Sequence, residues 1–259
     1  MKAASWILCC FAAAIPLRAE SVNVAAASDL NFAVQEIIKS FEQNTGNTVR
    51  LTLGSSGNFY AQILNGAPFD VFLSADMEYP KQLEKQGYAV PGSTFAYGAG
   101  RIALWVPNRS SLDLDKVGMN ALLDNSIRKI AIANPAHAPY GRAAVAALEH
   151  AKLYDRVKNK LVLGENISQA AQFVQSGAAD LGVIAISIAL SRQMGDMEVR
   201  NGNEFEAFIA EVFHHFFKSG EALPIDRERT IVLLVIDVEV NHISGNFAFT
   251  EFGCDLPYL

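Results

Sequence analysis

Four turns of the chain each follow a predicted strand and open a predicted helix. The first N–H groups of a helix have no intrahelical partner and lie at the positive end of the helix dipole. Serine hydroxyls add donors without adding charge. Each turn therefore has the chemistry to bind an anion, and the four together could surround a tetrahedral oxyanion with neutral donors. The turns are Ala27-Ser28-Asp29, Gly54-Ser55-Ser56-Gly57, Pro139-Tyr140-Gly141 and Glu165-Asn166-Ile167.

Each of these turns has an ordinary structural explanation when it is taken alone. Ser28 has the residue type of a common helix N-cap, and glycine-serine and proline-glycine turns are frequent in loops. Their joint occurrence in one chain favours a binding site. It indicates a class of anion and does not identify the anion.

Short apolar strands alternate with amphipathic helices along the first 190 or so residues. Repeated strand-helix units predict an α/β fold with mostly parallel sheets flanked by helices. Ligands of such sheets bind beyond the carboxyl ends of the strands, where the four turns lie. A length of 259 residues favours two lobes over one continuous core.

Bulk composition restricts the class of ligand. The chain is 51% hydrophobic and 19% charged, with a formal net charge of −6 and no basic cluster. This balance argues against nucleic-acid binding. An acidic protein that binds an anion must use local dipoles and not its overall field.

Residues 1–19 have the pattern of a cleavable signal peptide. Lys2 precedes a short apolar run, and Ala19 offers a small residue for cleavage. The run is too short to span a bilayer, so we expect an exported, periplasmic protein. The open alternatives are a buried N-terminal helix and a lipid anchor at Cys9 or Cys10.

Five segments, in order, resemble the periplasmic molybdate-binding proteins that supply ABC importers. The resemblance covers about residues 22–191, and its glycine-alanine-proline segment is the most distinctive. The segments are Ala25-Ala26-Ala27-Ser28-Asp29-Leu30, Gly54-Ser55-Ser56-Gly57, Gly66-Ala67-Pro68-Phe69-Asp70-Val71-Phe72-Leu73-Ser74-Ala75-Asp76 with Gln62-Ile63 before it, Asn134-Pro135-Ala136-His137-Ala138-Pro139-Tyr140-Gly141 and Leu181-Gly182-Val183-Ile184-Ala185.

The resemblance implies an interlobe cleft that closes on molybdate, and usually also on tungstate. Carried over by position, Ser28 and Ser56 would donate hydroxyl and backbone N–H groups from the first lobe. Tyr140 and Ile167 would donate backbone N–H groups from the second lobe. Many relatives have a tyrosine hydroxyl where this chain has Ala185, so the hydroxyl of Tyr140 is a candidate replacement.

The same resemblance implies the partners and the division of the chain. We expect a monomer that delivers its ion to the membrane permease of an ABC importer. No cofactor is expected, because the metal is bound as its oxyanion and not by direct ligands. Lobe one would comprise residues 20–100 with a C-terminal return at about 215–259, and lobe two residues 101–195.

Asp29 presents an electrostatic problem at such a site. A carboxylate that faces a dianion is repelled, so we expect Asp29 to turn away or to accept N–H bonds within its own turn. Facing the cleft, it would instead accept a proton from an anion such as hydrogen phosphate. Sulfate has no such proton, so only the cavity size would separate it from molybdate.

The remaining polar residues favour structural roles. His137 is expected to be a turn residue, and the adjacent pair His214-His215 faces two directions on a helix and makes a poor metal site. Asp70 and Asp76 have no accompanying nucleophile, so we expect them to cap and pack. No catalytic or nucleotide-binding motif is present, which favours a binding protein over an enzyme.

The resemblance stops after about residue 191. A helix at 204–219 with an aromatic stripe and a strand at 231–236 replace the expected C-terminal pattern, and only 252–257 resembles the family again. Real divergence and a pair of compensating frameshifts both remain open. We predict looser packing or unusual topology after residue 195.

Three alternatives to molybdate binding stay open. The first is a sulfate- or phosphate-binding protein of the same architecture. The second is an exported enzyme on a similar fold, and the third is a poorly folded product that binds nothing. The sequence does not set the preference between molybdate and tungstate.

Overall fold

A computed structural model describes residues 21–107 and 110–191, apart from the side chain of residue 115, and the backbone of 232–238. The predicted signal peptide, the aromatic helix at 204–219 and the segment 252–257 lie outside the described residues. Among the helices that are described, none is long and apolar enough to cross a membrane.

The first described sheet is parallel throughout. Its strand order is β2-β1-β3-β9-β4. The strand predicted at 231–236 is present as β9, and it pairs between β3 and β4 although it follows them by more than 130 residues of sequence. These strands are β1 (Ser21–Ala27), β2 (Thr48–Gly54), β3 (Val71–Ser74), β4 (Phe95–Gly100) and β9 (Val232–Val238).

The second described sheet has the order β5-β8-β6-β7. Its strands are parallel except for β5, which runs antiparallel to β8. We call each sheet with its helices a lobe; the predicted residue bounds of the two lobes stay a prediction. The strands are β5 (Ile102–Trp105), β6 (Ile130–Ala133), β7 (Leu161–Gly164) and β8 (Leu181–Ala185).

Helices follow most strands, as the repeated strand-helix pattern predicts. The two-lobed α/β fold expected from the sequence is confirmed. The helices are α1 (Asn31–Thr45), α2 (Ser56–Leu64), α3 (Glu78–Lys85), α4 (Leu114–Val117), α5 (Pro139–His150), α6 (Tyr154–Val157), α7 (Ile167–Gln175) and α8 (Ile186–Ala189).

Apolar side chains cover both faces of the first sheet. Alternate residues of β1 point to opposite faces, so Ala26 joins one cluster with Val34 of α1, while Ala25 joins another with Phe59 and Ile63 of α2. The second sheet is likewise covered on two sides by buried clusters. Both sheets are therefore rigid supports for the turns at their strand ends.

Local structure differs from what the sequence indicates at Ser28 and at strand β4. Ser28 does not cap a helix with its side chain, because Ser28–Leu30 forms a 3-10 turn before α1. Strand β4 was not predicted, since its sequence, Phe-Ala-Tyr-Gly-Ala-Gly, lacks the β-branched alternation of a typical strand.

Gly141 sets how closely α5 approaches the end of β6. A Cβ atom built at this position would lie 2.2 Å from the carbonyl oxygen of Ala133. Pro139 at the first helical position is preorganised for the turn, since its fixed φ suits a helix start. The backbone of Tyr140, between these two residues, is thereby held against the strand end.

We predict that Gly141→Ala destabilises the chain by about 2 kcal/mol or more, because the added methyl group must displace backbone. The measurement is urea denaturation followed by circular dichroism. Ala146→Gly is the matched control, since Ala146 is exposed on the same helix and should lose only about 1 kcal/mol of helix propensity. Equal stability losses in the two variants would show that the close approach is unimportant.

Candidate functional site

The four predicted turns meet at one small cavity. Ser28, Ser56, Tyr140 and Ile167 all line it, and Asp29 lines it as well. The turns that hold Ser28 and Ser56 follow β1 and β2 of the first lobe, while those that hold Tyr140 and Ile167 follow β6 and β7 of the second. The cavity therefore lies between the lobes, at the carboxyl ends of parallel strands.

The size and lining of the cavity restrict its occupant. The cavity has a volume of about 10 Å³, roughly what one ordered water requires. This space is too small for an amino acid or a sugar, and it must widen to admit a tetrahedral oxyanion. Of the described residues that line this cavity, none is a lysine or an arginine.

Backbone N–H groups supply one set of donors. α2 begins at Ser56 and α7 begins at Ile167, while Tyr140 is the second residue of α5. N–H groups in these positions have no partner within their own helices. The positive ends of three helix dipoles therefore converge on the cavity wall.

The two serine hydroxyls are oriented as donors. The Ser56 hydroxyl oxygen accepts a hydrogen bond from the N–H of Ala75 at 2.9 Å, and that of Ser28 accepts one from the N–H of Ser168 at 3.3 Å. Both serines are buried. Since a hydroxyl has one proton and two lone pairs, each oxygen that accepts a backbone bond keeps its proton for a different acceptor.

Asp29 is buried at the cavity and directed towards the other lobe. Its Oδ2 accepts a hydrogen bond from the Tyr140 hydroxyl at 3.1 Å. The side chain therefore does not turn away from the cleft. Burial raises the pKa of Asp29 to about 6, although the bond from Tyr140 acts to lower it.

The Tyr140 hydroxyl was the candidate replacement for the hydroxyl donor that Ala185 lacks. The Tyr140 hydroxyl is engaged with Asp29, and only three per cent of the residue is exposed. Ala185 is fully buried at the end of β8 in the same apolar cluster as Tyr140, and it is not among the residues that line the cavity.

Contacts across the cleft extend beyond the cavity and were not predicted. His137 of the second lobe accepts a hydrogen bond at its carbonyl oxygen from the N–H of Gly57 at 2.8 Å. Its Nδ1 lies 2.9 Å from the hydroxyl oxygen of Ser55. His137 is thus more than a turn residue, because it joins the second lobe to the start of α2.

A second group of cross-cleft contacts involves Arg142 of α5. Its guanidinium pairs with Asp76, donates to the Tyr79 hydroxyl at 3.0 Å and lies over the Tyr79 ring at 5.2 Å from the ring centre. Asp76 also caps α3 by accepting from the Tyr79 N–H, and Asp70 accepts from the N–H of Asn23 at 2.7 Å. Both aspartates have the structural roles that the sequence favoured.

Bonds to the first turn complete the contact between the lobes. The Ser168 hydroxyl donates to the carbonyl oxygen of Ser28 at 2.8 Å, and the Ser187 hydroxyl donates to that of Asp29 at 3.0 Å. The two lobes are therefore closed on each other, and backbone and side-chain hydrogen bonds cross the cleft on several sides. Sequence reasoning missed these partners because each contact joins residues far apart in the chain.

The chain is similar to curated proteins that are named for molybdate binding. The chain is 37% identical over 231 residues to the molybdate-binding protein ModA of Rhodobacter capsulatus, which covers 83% of this chain and 89% of that relative. It is 44% identical over 170 residues to molybdate-binding protein ModA of Azotobacter vinelandii, covering 66% of each. The similarity to the first relative extends over more of the chain than the predicted stretch 22–191.

Solved structures and family models agree. The structure of the Azotobacter vinelandii periplasmic molybdate-binding protein matches with a TM-score of 0.61 at 32% identity, over 80% of this chain and 96% of that one. The family model for bacterial extracellular solute-binding proteins matches residues 22–201. The resemblance expected from the five segments is confirmed, and the chain belongs to the bacterial extracellular solute-binding protein family.

Proposed function

We propose that the chain captures molybdate, and also tungstate, in the cavity between its lobes and delivers the ion to the permease of an ABC importer. The observation that carries this proposal is the convergence of Ser28, Ser56, Tyr140 and Ile167 on one small cavity. Two relatives that share at least 37% of the aligned residues bear the name molybdate-binding protein. Neutral donors bind the oxygens of the anion, and no side chain coordinates the metal.

Capture proceeds by closure of the lobes around the anion. Ser28 and Ser56 belong to the first lobe, and Tyr140 and Ile167 belong to the second. An anion that accepts hydrogen bonds from both lobes stabilises the closed arrangement relative to the open one. Bonds between backbone N–H groups and a desolvated anion are charge-assisted and therefore strong.

The family and the N-terminal pattern support a proposal about the cellular setting. We propose export through the cleavable signal at residues 1–19 and action in the periplasm as a monomer. The protein needs no resident cofactor and catalyses no reaction. Its ligand is its only chemical cargo.

A second candidate ligand is hydrogen phosphate, and Asp29 is the observation that favours it. A buried carboxylate at the cavity accepts a hydrogen bond from a protonated oxygen of the anion, whereas it repels a dianion that has no proton. Sulfate shares the charge of molybdate and is distinguished only by size. Titrations with each anion separate these candidates.

We predict that molybdate and tungstate raise the melting temperature of the chain at neutral pH, because a ligand that binds only the native state stabilises it. Sulfate and phosphate should give much smaller shifts at the same concentration. The measurement is thermal unfolding, followed by calorimetric titration of each anion. Tight phosphate binding without a response to molybdate would overturn the proposal.

We predict that Ser56→Ala weakens molybdate binding about tenfold or more, because a hydrogen bond to a charged group contributes about 1.5–3 kcal/mol. Ser28→Ala should behave similarly. The measurement is calorimetric titration, with melting curves to correct for any loss of fold. Ser176→Ala is the matched control, since Ser176 is exposed at the end of α7 and bonds only within its own helix. Unchanged affinity in both cavity variants would contradict the site.

We predict that Gly57→Ala keeps the lobes apart. A Cβ atom there would lie 2.6 Å from the carbonyl oxygen of His137, so the closed contact cannot form. Molybdate affinity should fall about tenfold or more, and small-angle X-ray scattering with molybdate should show a larger radius than for the unmodified chain. The control is Ala61→Gly, on the exposed side of the same helix. Normal closure of Gly57→Ala would show that this contact is not needed.

A further inference from the structure

One buried polar atom at the cavity has no partner. Asp29 Oδ2 accepts from Tyr140, but Oδ1 of the same carboxylate makes no hydrogen bond in the described part of the chain. Asp29 is three per cent exposed, and it lines the cavity together with the four turns that would bind the anion. A buried carboxylate oxygen without a donor is costly in its charged form, so this arrangement requires an explanation.

Among the described residues, the groups that face Asp29 are all neutral. Tyr140 of α5 bonds to it, and Tyr97 of β4 interacts with it electrostatically while its own buried hydroxyl is also unpartnered. Burial raises the pKa of both tyrosines well above the ordinary value, so neither loses its proton near neutral pH. Helices α7 and α8, which also pack on this turn, contain no titratable residue.

Resting on the proposed function, we propose that Asp29 takes up one proton when the site closes on a doubly charged oxyanion, and that anion capture is therefore coupled to proton uptake. The proton comes from solvent and binds the carboxylate. The resulting neutral acid contributes an O–H donor where the charged form has only acceptors. No bond within the anion is made or broken.

Two physical arguments support the coupling. Burial already raises the pKa of Asp29 to about 6, so the proton is held more firmly than by an exposed carboxylate. A dianion enclosed in the same cavity repels the charged carboxylate and therefore raises the pKa of Asp29 further. At neutral pH the carboxylate is mostly charged before binding and neutral afterwards, which requires uptake of a proton.

The coupling also determines which anions suit the site. A proton-free dianion such as molybdate binds with a proton taken from solvent. Hydrogen phosphate brings its own proton, which can be shared with Asp29, so its binding requires little uptake. Asp29 is therefore a specificity-determining residue whose effect depends on pH.

The test measures protons directly in the unmodified chain. Molybdate is titrated calorimetrically at about pH 7.5 in two buffers with different ionisation enthalpies. The difference in observed heat gives the number of protons taken up, and we expect close to one per ion bound. Affinity should also weaken by up to about tenfold for each pH unit between about pH 7 and pH 9.

Asp29→Asn provides the variant arm, because asparagine keeps an acceptor for Tyr140 and adds an N–H donor in place of the acid O–H. This variant should bind molybdate without proton uptake, with an affinity that hardly changes with pH. At pH 9 it should bind more tightly than the unmodified chain. Asp155→Asn, which removes an exposed carboxylate paired only with Lys158, should leave the proton uptake unchanged.

The experiments distinguish failure of the proton coupling from failure of the proposed function. Molybdate binding with no proton uptake and a flat pH profile in the unmodified chain overturns the role of Asp29 and leaves the proposed function standing. Failure of every dianion to bind at any pH overturns the proposed function itself, and the coupling with it. If Asp29→Asn does not fold, the two-buffer titration of the unmodified chain still decides the question.

Discussion

The site depends on the electrostatics of helix N-termini that are brought together by parallel strands. In each lobe, neighbouring strands end at the same edge of the sheet, so the turns that follow them are neighbours in space. Their unpaired N–H groups present partial positive charge without a cation. An acidic chain can therefore bind an anion, because its donors act at short range while its net charge acts at long range.

Donors that act at short range must be held close to the ligand in fixed positions. The packing around the cavity holds the helix starts in this way. Gly57 lets α2 contact the His137 backbone of the opposite lobe, and Gly141 lets α5 begin directly against β6. Arg142 joins the lobes outside the cavity, where its charge does not compete with neutral donors for the ligand. Asp29 is the exception to neutrality, and its burial favours the protonated, neutral form although the hydrogen bond from Tyr140 opposes it.

Much of the site could be predicted from sequence because it consists of local features. A strand end followed by a serine or glycine turn and a helix start is visible in the chain at Ser56 and Ile167. The partners of Asp29 and His137 could not be predicted, since the Tyr140 and Ser55 contacts join residues about 110 and 80 positions apart. Strand β4 was missed because tertiary pairing with β9, and not local propensity, makes it a strand.

The claim that uncharged donors of both lobes bind the anion is tested most directly by a crystal structure. Crystals of the protein are grown with molybdate, and X-ray data are collected at the molybdenum absorption edge. The account predicts one anomalous peak in the cavity, with oxygens in hydrogen-bonding range of the N–H groups of Ser28, Ser56, Tyr140 and Ile167. A peak at lysine or arginine side chains on the surface, with nothing bound between the lobes, would contradict it.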